Sequence, residues 1–109
     1  MPKWTIQDRY GNTIYLTEER WKHITNPANH PDMEGYCDHP KMTIQTGRRR
    51  QEALAPHKYR YLRFFDDLVG DNNCIVAVVR FKFDVDENGN IIENNFVLTA
   101  YQKTIKRRR

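Results

Sequence analysis

CIVAVVRFKF, residues 74–83, is the longest apolar run in the chain and is rich in the β-branched residues that favour strands. A strand that is apolar on both faces is typical of the centre of a sheet. The turn-forming residues DENGN follow at positions 86–90, and a second strand-like run then extends from Ile91 to Gln102. This order predicts two antiparallel neighbours in the middle of a sheet.

The second run ends in Phe96-Val97-Leu98-Thr99-Ala100-Tyr101-Gln102-Lys103. A period of two predicts one face that packs on a core and one that does not. The face expected to meet the core holds Phe96, Leu98 and Ala100. The other face is expected to hold Val97, Thr99, Tyr101 and Lys103. A hydroxyl, a phenol and an ammonium in a row suit a phosphate-bearing substrate, because each can donate a hydrogen bond to a phosphoryl oxygen. A solvated sheet face would show the same alternation.

The residues before position 30 predict a hairpin followed by a helix. The runs Thr5–Tyr10 and Thr13–Thr17 flank a Gly-Asn turn. Thr17 is a candidate N-cap, and two glutamates in the first turn suit the positive end of a helix that continues to Thr25. Trp21 and Ile24 lie on one side of this helix.

Further elements complete the predicted domain. A second helical turn is expected from Asp32 to Cys37, and short strands are expected at Met42–Thr46 and Tyr59–Phe65. The fold class is therefore α+β, with a short N-terminal hairpin and one or two helices packed on a curved antiparallel sheet of about four strands. A chain of 109 residues fits one domain, which we place at residues 1–105, with 106–109 as a basic tail that is expected to be disordered.

The charge of the chain is only mildly positive, at +4, but its basic residues are clustered. Three clusters stand out: Arg48–Arg50, His57–Arg63 and Lys106–Arg109. Positive charge interleaved with aromatic residues indicates a polyanionic partner, most simply a nucleic acid. A solvated basic surface is the alternative interpretation.

Several features bear on the compartment. No run of eighteen apolar residues occurs, so we expect no membrane span. The first residues carry no apolar targeting segment. Cys37 and Cys74 show no paired-ligand spacing, and reduced thiols are the default. These observations favour a cytoplasmic protein.

The chain contains four histidines: His23, His30, His39 and His57. Neutral imidazole carries protons near pH 7. Cleavage of RNA without a metal needs a base for the ribose 2′-hydroxyl, an acid for the departing 5′-oxygen, and cations or donors for the charged phosphorane. His, Lys, Arg, Thr and Tyr can supply all of these.

Metal chemistry is the competing interpretation. A zinc set could be drawn from His30, Cys37, His39 and Cys74, but its spacing matches none of the usual zinc patterns. A magnesium set could be drawn from Asp66, Asp67 and Asp71, whose neighbours are more typical of a loop. We therefore expect no metal and no other cofactor.

Three blocks carry a resemblance to a known group: residues 8–24 (DRYGNTIYLTEERWKHI), His30-Pro31-Asp32, and Val97–Tyr101. The chain resembles the small phage and bacterial toxin-like nucleases grouped with barnase, EndoU, colicin ribonucleases and RelE, known as the BECR group. In that group a hairpin leads into a helix with Trp-x-His-Ile, and the chain ends in a strand with Thr-Ala-Tyr. The resemblance implies a BECR-like fold and a metal-independent endoribonuclease that cleaves RNA through a 2′,3′-cyclic phosphate.

Carried onto this sequence, the resemblance implies a set of site residues and partners. The catalytic residues would be His23, His30, Thr99 and Tyr101. The substrate phosphates would be bound by Arg48, Arg49, Lys58, Arg60, Tyr61 and Lys103. RNA is the expected partner, and a cognate inhibitor protein is a further candidate. The chain departs from the group between Pro31 and Thr43, where Gly35 and His39-Pro40 stand in place of a longer helix.

Two other functions fit the same sequence. A non-catalytic nucleic-acid-binding module would use the same basic face, with Tyr59, Tyr61 and Tyr101 stacking on bases. A phage-type inhibitor or interaction domain would keep a nuclease fold without its activity. Cyclic-phosphate ends on RNA incubated in chelator would separate the nuclease from both.

Overall fold

The computed structural model describes residues 2–106. Over this range the chain forms, in order, β1 (Pro2–Gln7), β2 (Thr13–Thr17), α1 (Glu18–Ile24), a 3-10 turn (Pro31–Met33), α2 (Asp38–Thr46), β3 (Arg48–Gln51), β4 (Lys58–Phe64), β5 (Cys74–Arg80), β6 (Phe83–Val85), β7 (Ile91–Glu93) and β8 (Asn95–Lys103). Of the predicted basic tail, Arg107–Arg109 lie outside the described residues.

Six strands form the main sheet, in the order β1-β2-β8-β5-β4-β3. The apolar strand β5 lies inside it, between antiparallel β4 and β8, which confirms the prediction from its composition. β2 runs parallel to the start of β8 and so joins the N-terminal hairpin to the same sheet. The α+β class is confirmed. The expectation of about four antiparallel strands is wrong, because the hairpin and the arginine-rich β3 add strands and β2 adds a parallel pair.

The predicted hairpin and first helix are both present. The Asp8 carboxylate accepts hydrogen bonds from the backbone N–H groups of Tyr10 and Asn12, at 2.9 and 2.8 Å, and Gly11 takes a φ of 86° that favours glycine. The Thr17 hydroxyl caps α1 by accepting from the Arg20 N–H at 3.1 Å. These local hydrogen bonds fix the turn and the start of the helix.

The segment Met42–Thr46 is helical, so the predicted strand is wrong. It belongs to α2, whose third residue is Pro40, and proline is tolerated in a first turn because N–H groups there have no helical partner. Pro40, Thr43 and Ile44 are buried at helical spacing, so they bind α2 to the core. The longer helical turn expected at Asp32–Cys37 is reduced to the 3-10 turn.

A β-bulge in β8 changes which side chains face the core. Val78 pairs with Thr99 and Val79 pairs with Val97, so Leu98 is the extra residue. Val97 and Ala100 are therefore both buried on the core side. The predicted core positions of Phe96 and Leu98, and the predicted outer position of Val97, are wrong for this reason. Thr99, Tyr101 and Lys103 do share the other face, as predicted.

The core lies between the helices and one face of the main sheet. Its buried members include Ile14, Leu16, Ile24, Met33, Ile44, Tyr61, Ile75, Val79 and Val97. Trp21 packs against this cluster from α1, as the sequence predicts. We call the opposite face of the sheet, which carries Thr99, Tyr101 and Lys103, the open face.

Candidate functional site on the open face

Strand register gathers several predicted site residues on the open face. Directly paired residues point to the same side of a sheet, so each row of pairs defines neighbours. Two such rows cross β3, β4, β5 and β8: Arg50-Arg60-Val78-Thr99 and Arg48-Leu62-Val76-Tyr101. Lys103 lies two residues beyond Tyr101 on the same side. Basic side chains from two strands thus meet the hydroxyl groups of β8.

These rows border a cleft of about 300 Å³. We call it the basic cleft; it is lined by Arg48, Arg49, Arg50, Arg60, Leu62, Val76 and Lys103. Leu62 and Val76 form its apolar floor; Leu62 is partly exposed, whereas Val76 is only 2% exposed. Cations around an apolar floor suit a ligand that has both phosphate groups and flat apolar surfaces.

At the border of the basic cleft, three side chains touch in a line. The His30 and Tyr101 rings stack with their centroids 5.4 Å apart and an interplanar angle of 29°. The Arg60 guanidinium donates to the Tyr101 hydroxyl, with Nη1 3.4 Å from the oxygen. Arg60 also donates through Nε to the carboxylate of Glu52, in a close ion pair. The line places an imidazole, a phenol and a guanidinium in contact.

The position of His30 follows from the end of α1. Its backbone N–H donates to the Ile24 carbonyl at 2.8 Å, and Pro31 then begins the 3-10 turn. The Gln102 side chain donates to the Asp32 carbonyl at 2.8 Å and ties that turn to β8. Because these hydrogen bonds fix the backbone at His30 and at Asp32, the His30 ring is positioned beside Tyr101.

His23 has different surroundings. It is exposed on α1 and borders a small surface depression together with Thr17, Glu19 and Arg20. The structure therefore brings His30 into contact with Tyr101 and places His23 at a separate depression. The other two histidines lie elsewhere: His57 is exposed before β4, and His39 pairs with Asp67 at 2.9 Å. That hydrogen bond from His39 lowers the pKa of the Asp67 carboxyl below its ordinary value.

Tyr61 faces the core, which corrects its predicted role in binding phosphate. Its side chain is fully buried and its hydroxyl donates to the Asp8 carboxylate in a close contact. Burial, followed by the hydrogen bond to Asp8, raises the pKa of the Tyr61 phenol. A ligand on the open face cannot reach this hydroxyl.

Although Arg49 borders the basic cleft, its guanidinium points away from the open face. Its guanidinium lies 4.1 Å from the centre of the Tyr10 ring and 4.5 Å from that of Tyr59, and its Nη1 is 3.5 Å from an Asp8 oxygen. Burial opposes ionisation of Asp8, but the hydrogen bonds from Tyr61 and the 10–12 turn outweigh it and lower the pKa of this carboxyl. Arg49 therefore anchors β3 to the hairpin, so that its neighbours Arg48 and Arg50 project into the cleft.

The remaining predicted residues, Thr99, Lys103 and Lys58, also lie on the open face, outside the contacts among His30, Tyr101 and Arg60. Thr99 is in the row of Arg60, Lys103 lines the basic cleft, and Lys58 lies opposite Arg80 at the end of β4. Sequence reasoning missed the role of Glu52. Only the pairing of β3 with β4 shows that it can reach Arg60, so the sequence holds no signal for it.

The described residues provide neither a cluster of metal ligands nor a membrane-spanning helix. Among residues 2–106, no three His, Cys, Asp or Glu side chains are grouped as metal ligands. Cys37 and Cys74 form no disulfide within the described residues, and burial raises the pKa of Cys37. No helix in this part of the chain is both long and apolar enough to cross a bilayer.

The arrangement can attract a phosphate chain, hold a phosphoryl group between Arg60 and Tyr101, and move a proton through His30. No protein-family model matches this chain, and no curated protein or solved structure matches it either.

Proposed function

We propose that the protein is a metal-independent endoribonuclease whose active site lies at His30, Tyr101 and Arg60. The observation that supports this is the direct contact of the three side chains at the border of the basic cleft. Each class of group that the reaction needs is represented: a proton carrier, a hydroxyl donor and a fixed cation.

In this reaction the ribose 2′-oxygen attacks the adjacent phosphorus and the bond from phosphorus to the 5′-oxygen breaks. The 2′-hydroxyl proton passes to the His30 imidazole. The departing 5′-oxygen takes a proton from the Tyr101 hydroxyl, and water later returns one to Tyr101. The products are a 2′,3′-cyclic phosphate and a free 5′-hydroxyl. Arg60 stabilises the negative charge on both the phosphorane and the transient phenolate.

The basic cleft would bind the flanking nucleotides. Arg48, Arg50 and Lys103 can neutralise phosphates, and the partly exposed Leu62 can contact a base or ribose. RNA binding should therefore weaken as salt is added, since each neutralised phosphate releases counterions.

A non-catalytic RNA-binding module is the second candidate. The ion pair between Arg60 and Glu52 favours this candidate. Cleavage would require the Arg60 guanidinium to bind a phosphate, but the Glu52 carboxylate is already bound to it. In the ribonuclease, a substrate phosphate displaces Glu52 from Arg60. The two functions differ in the RNA ends that they leave, since the module leaves the strand intact.

The test is incubation of end-labelled RNA with the protein in excess chelator, with cyclic-phosphate ends as the readout. We expect His30→Ala to lower the cleavage rate by about 10²–10⁴-fold, as the loss of a general acid–base group usually does. His23→Ala is the matched control and should cleave normally. Equal cleavage by the His30→Ala and unmutated proteins would remove His30 from the mechanism, and intact RNA with the unmutated protein would favour the binding module.

We place this activity in the cytoplasm, where RNA is available and cysteine thiols such as those of Cys37 and Cys74 stay reduced. A toxin-like role, with a cognate inhibitor protein as partner, follows from the resemblance to the phage and bacterial nucleases.

A further inference from the structure

The hairpin between β5 and β8 exposes apolar side chains. We call residues 82–94, which include β6 and β7, the acidic arm. Within the described residues, β6 and β7 pair only with each other. Phe83, Val85 and Ile91 are 70%, 69% and 74% exposed. A projecting two-stranded ribbon gains little stability from such side chains unless they are covered.

The pairing of the ribbon puts these side chains together. Val85 lies directly opposite Ile91, and Phe83 lies opposite Glu93, so all four share one face. A contiguous apolar patch with a polar border is typical of a protein interaction site. The patch therefore has the character of an interaction surface, and no other strand within residues 2–106 pairs with the ribbon.

The arm that carries the patch is negatively charged, although Asp84 lies on the other face of the ribbon, opposite Ile92, and pairs with Lys82 at 3.2 Å. The acidic arm carries four carboxylates, on Asp84, Asp86, Glu87 and Glu93, against the single cation of Lys82. The pKa values of Asp84 and Asp86 are lowered, mainly by hydrogen bonds from the Asn94 side chain and the Asn90 backbone respectively. In a chain of net charge +4, negative charge is thus concentrated on this hairpin.

The basic cleft has the complementary pattern. Its border is formed by Arg48, Arg50, Arg60 and Lys103, and its floor by Leu62 and Val76. We propose that the acidic arm of one copy binds the basic cleft of a second copy. The apolar side chains of the arm would pack on Leu62 and on the alkyl stems of the basic side chains, while its carboxylates would meet the surrounding cations.

A two-fold axis would close this assembly as a dimer, because each copy supplies one arm and one cleft. An arm in the cleft also covers Arg60, so dimerisation and polyanion binding exclude one another. Self-association does not rest on the proposed ribonuclease activity, although it would block it, and it can be measured without RNA.

The experiment measures the mass of the full chain by analytical ultracentrifugation over a series of protein concentrations. A reversible dimer is expected at about 0.1 M salt, and it should weaken at about 1 M salt, where the Debye length falls from about 10 Å to about 3 Å. A monomer at every concentration in low salt would overturn the proposal, since the arm would then serve some other partner.

Two variants test which surfaces meet. Glu93→Lys changes the arm and Arg50→Glu changes the cleft, and each alone should raise the dimer dissociation constant by about tenfold or more, as expected when like charges oppose one another at an interface. Mixing the two variants should restore association, because a normal arm then meets a normal cleft and the two changed surfaces carry opposite charges.

Glu19→Lys, on the exposed side of α1, makes the same change of charge away from both surfaces and serves as the control. It should leave the dissociation constant unchanged. Circular dichroism confirms that each variant folds. Association that is lost with Glu93→Lys but kept with Arg50→Glu would mean that arm meets arm, and would overturn the proposed contact.

Discussion

The buried contact between Tyr61 and Asp8 predicts a specific loss of stability in Tyr61→Phe. The substitution keeps the fully buried ring and removes the hydroxyl that donates to Asp8 and accepts from Arg49 at 3.4 Å. The Asp8 side chain is fully buried, so it cannot replace this donor with water. A hydrogen bond to a buried charged group contributes about 1.5–3 kcal/mol. The free energy of unfolding should fall by that amount, and Tm by roughly 6–12 °C for a domain of this size.

The same contact makes stability depend on pH at both extremes. The folded pKa of Asp8 is lowered, so its stabilisation is present above the unfolded value of 3.8 and is lost as pH falls through the lower folded value. The folded pKa of Tyr61 is raised from 10.0, so its stabilisation is complete below pH 10.0 and is lost as pH rises towards the folded value. Tyr61→Phe should remove the part of the alkaline loss that Tyr61 causes, leaving the part due to the raised pKa of Cys37, and should reduce the acid loss.

The assay is urea unfolding of the two proteins at several pH values, followed by tryptophan fluorescence. Tyr59→Phe is the matched control, because Tyr59 lies on the same side of β4 and its hydroxyl makes no hydrogen bond among the described residues. We expect Tyr59→Phe to change the free energy of unfolding by less than about 0.5 kcal/mol. An equal effect of the two substitutions, or an unchanged alkaline profile in Tyr61→Phe, would refute the reasoning.

Two further predictions concern β3. Gly47→Ala should destabilise the fold by about 1–3 kcal/mol, because the new methyl group would overlap the Thr43 carbonyl and lie 2.6 Å from the Leu62 carbonyl oxygen; a denaturation midpoint equal to that of the unmutated protein would contradict this packing. Arg48→Ala should weaken binding of single-stranded RNA and reduce the salt slope of log K by about 0.7, the value for one lost phosphate contact. Fluorescence anisotropy measures both quantities, and an unchanged slope would show that Arg48 contacts no phosphate.

Local features of the sequence were sufficient for several elements. The 8–12 turn, the Thr17 cap and the buried strand β5 each depend on residues close together in the chain, and all three appear as predicted. The shared face of Thr99, Tyr101 and Lys103 also followed from local alternation, because those residues lie beyond the bulge in β8.

Other features depended on contacts between distant residues. Met42–Thr46 has too few residues to reveal a period, and the burial of Pro40 and Ile44 against the sheet decides that it is helical. No residue near Leu98 predicts the bulge, because the bulge is defined by the register of β8 against β5. The same applies to the parallel pairing of β2 with β8.

Side-chain alternation and capping are set by neighbouring residues, so the α+β class and the basic, hydroxyl-bearing strand face could be predicted from the sequence. Tertiary contacts place His30, not His23, against Tyr101, turn Arg49 and Tyr61 inward and bring Glu52 to Arg60. These side-chain positions depend on how strands and loops far apart in the chain are brought into register. The spacing of adjacent residues does not encode such long-range pairing.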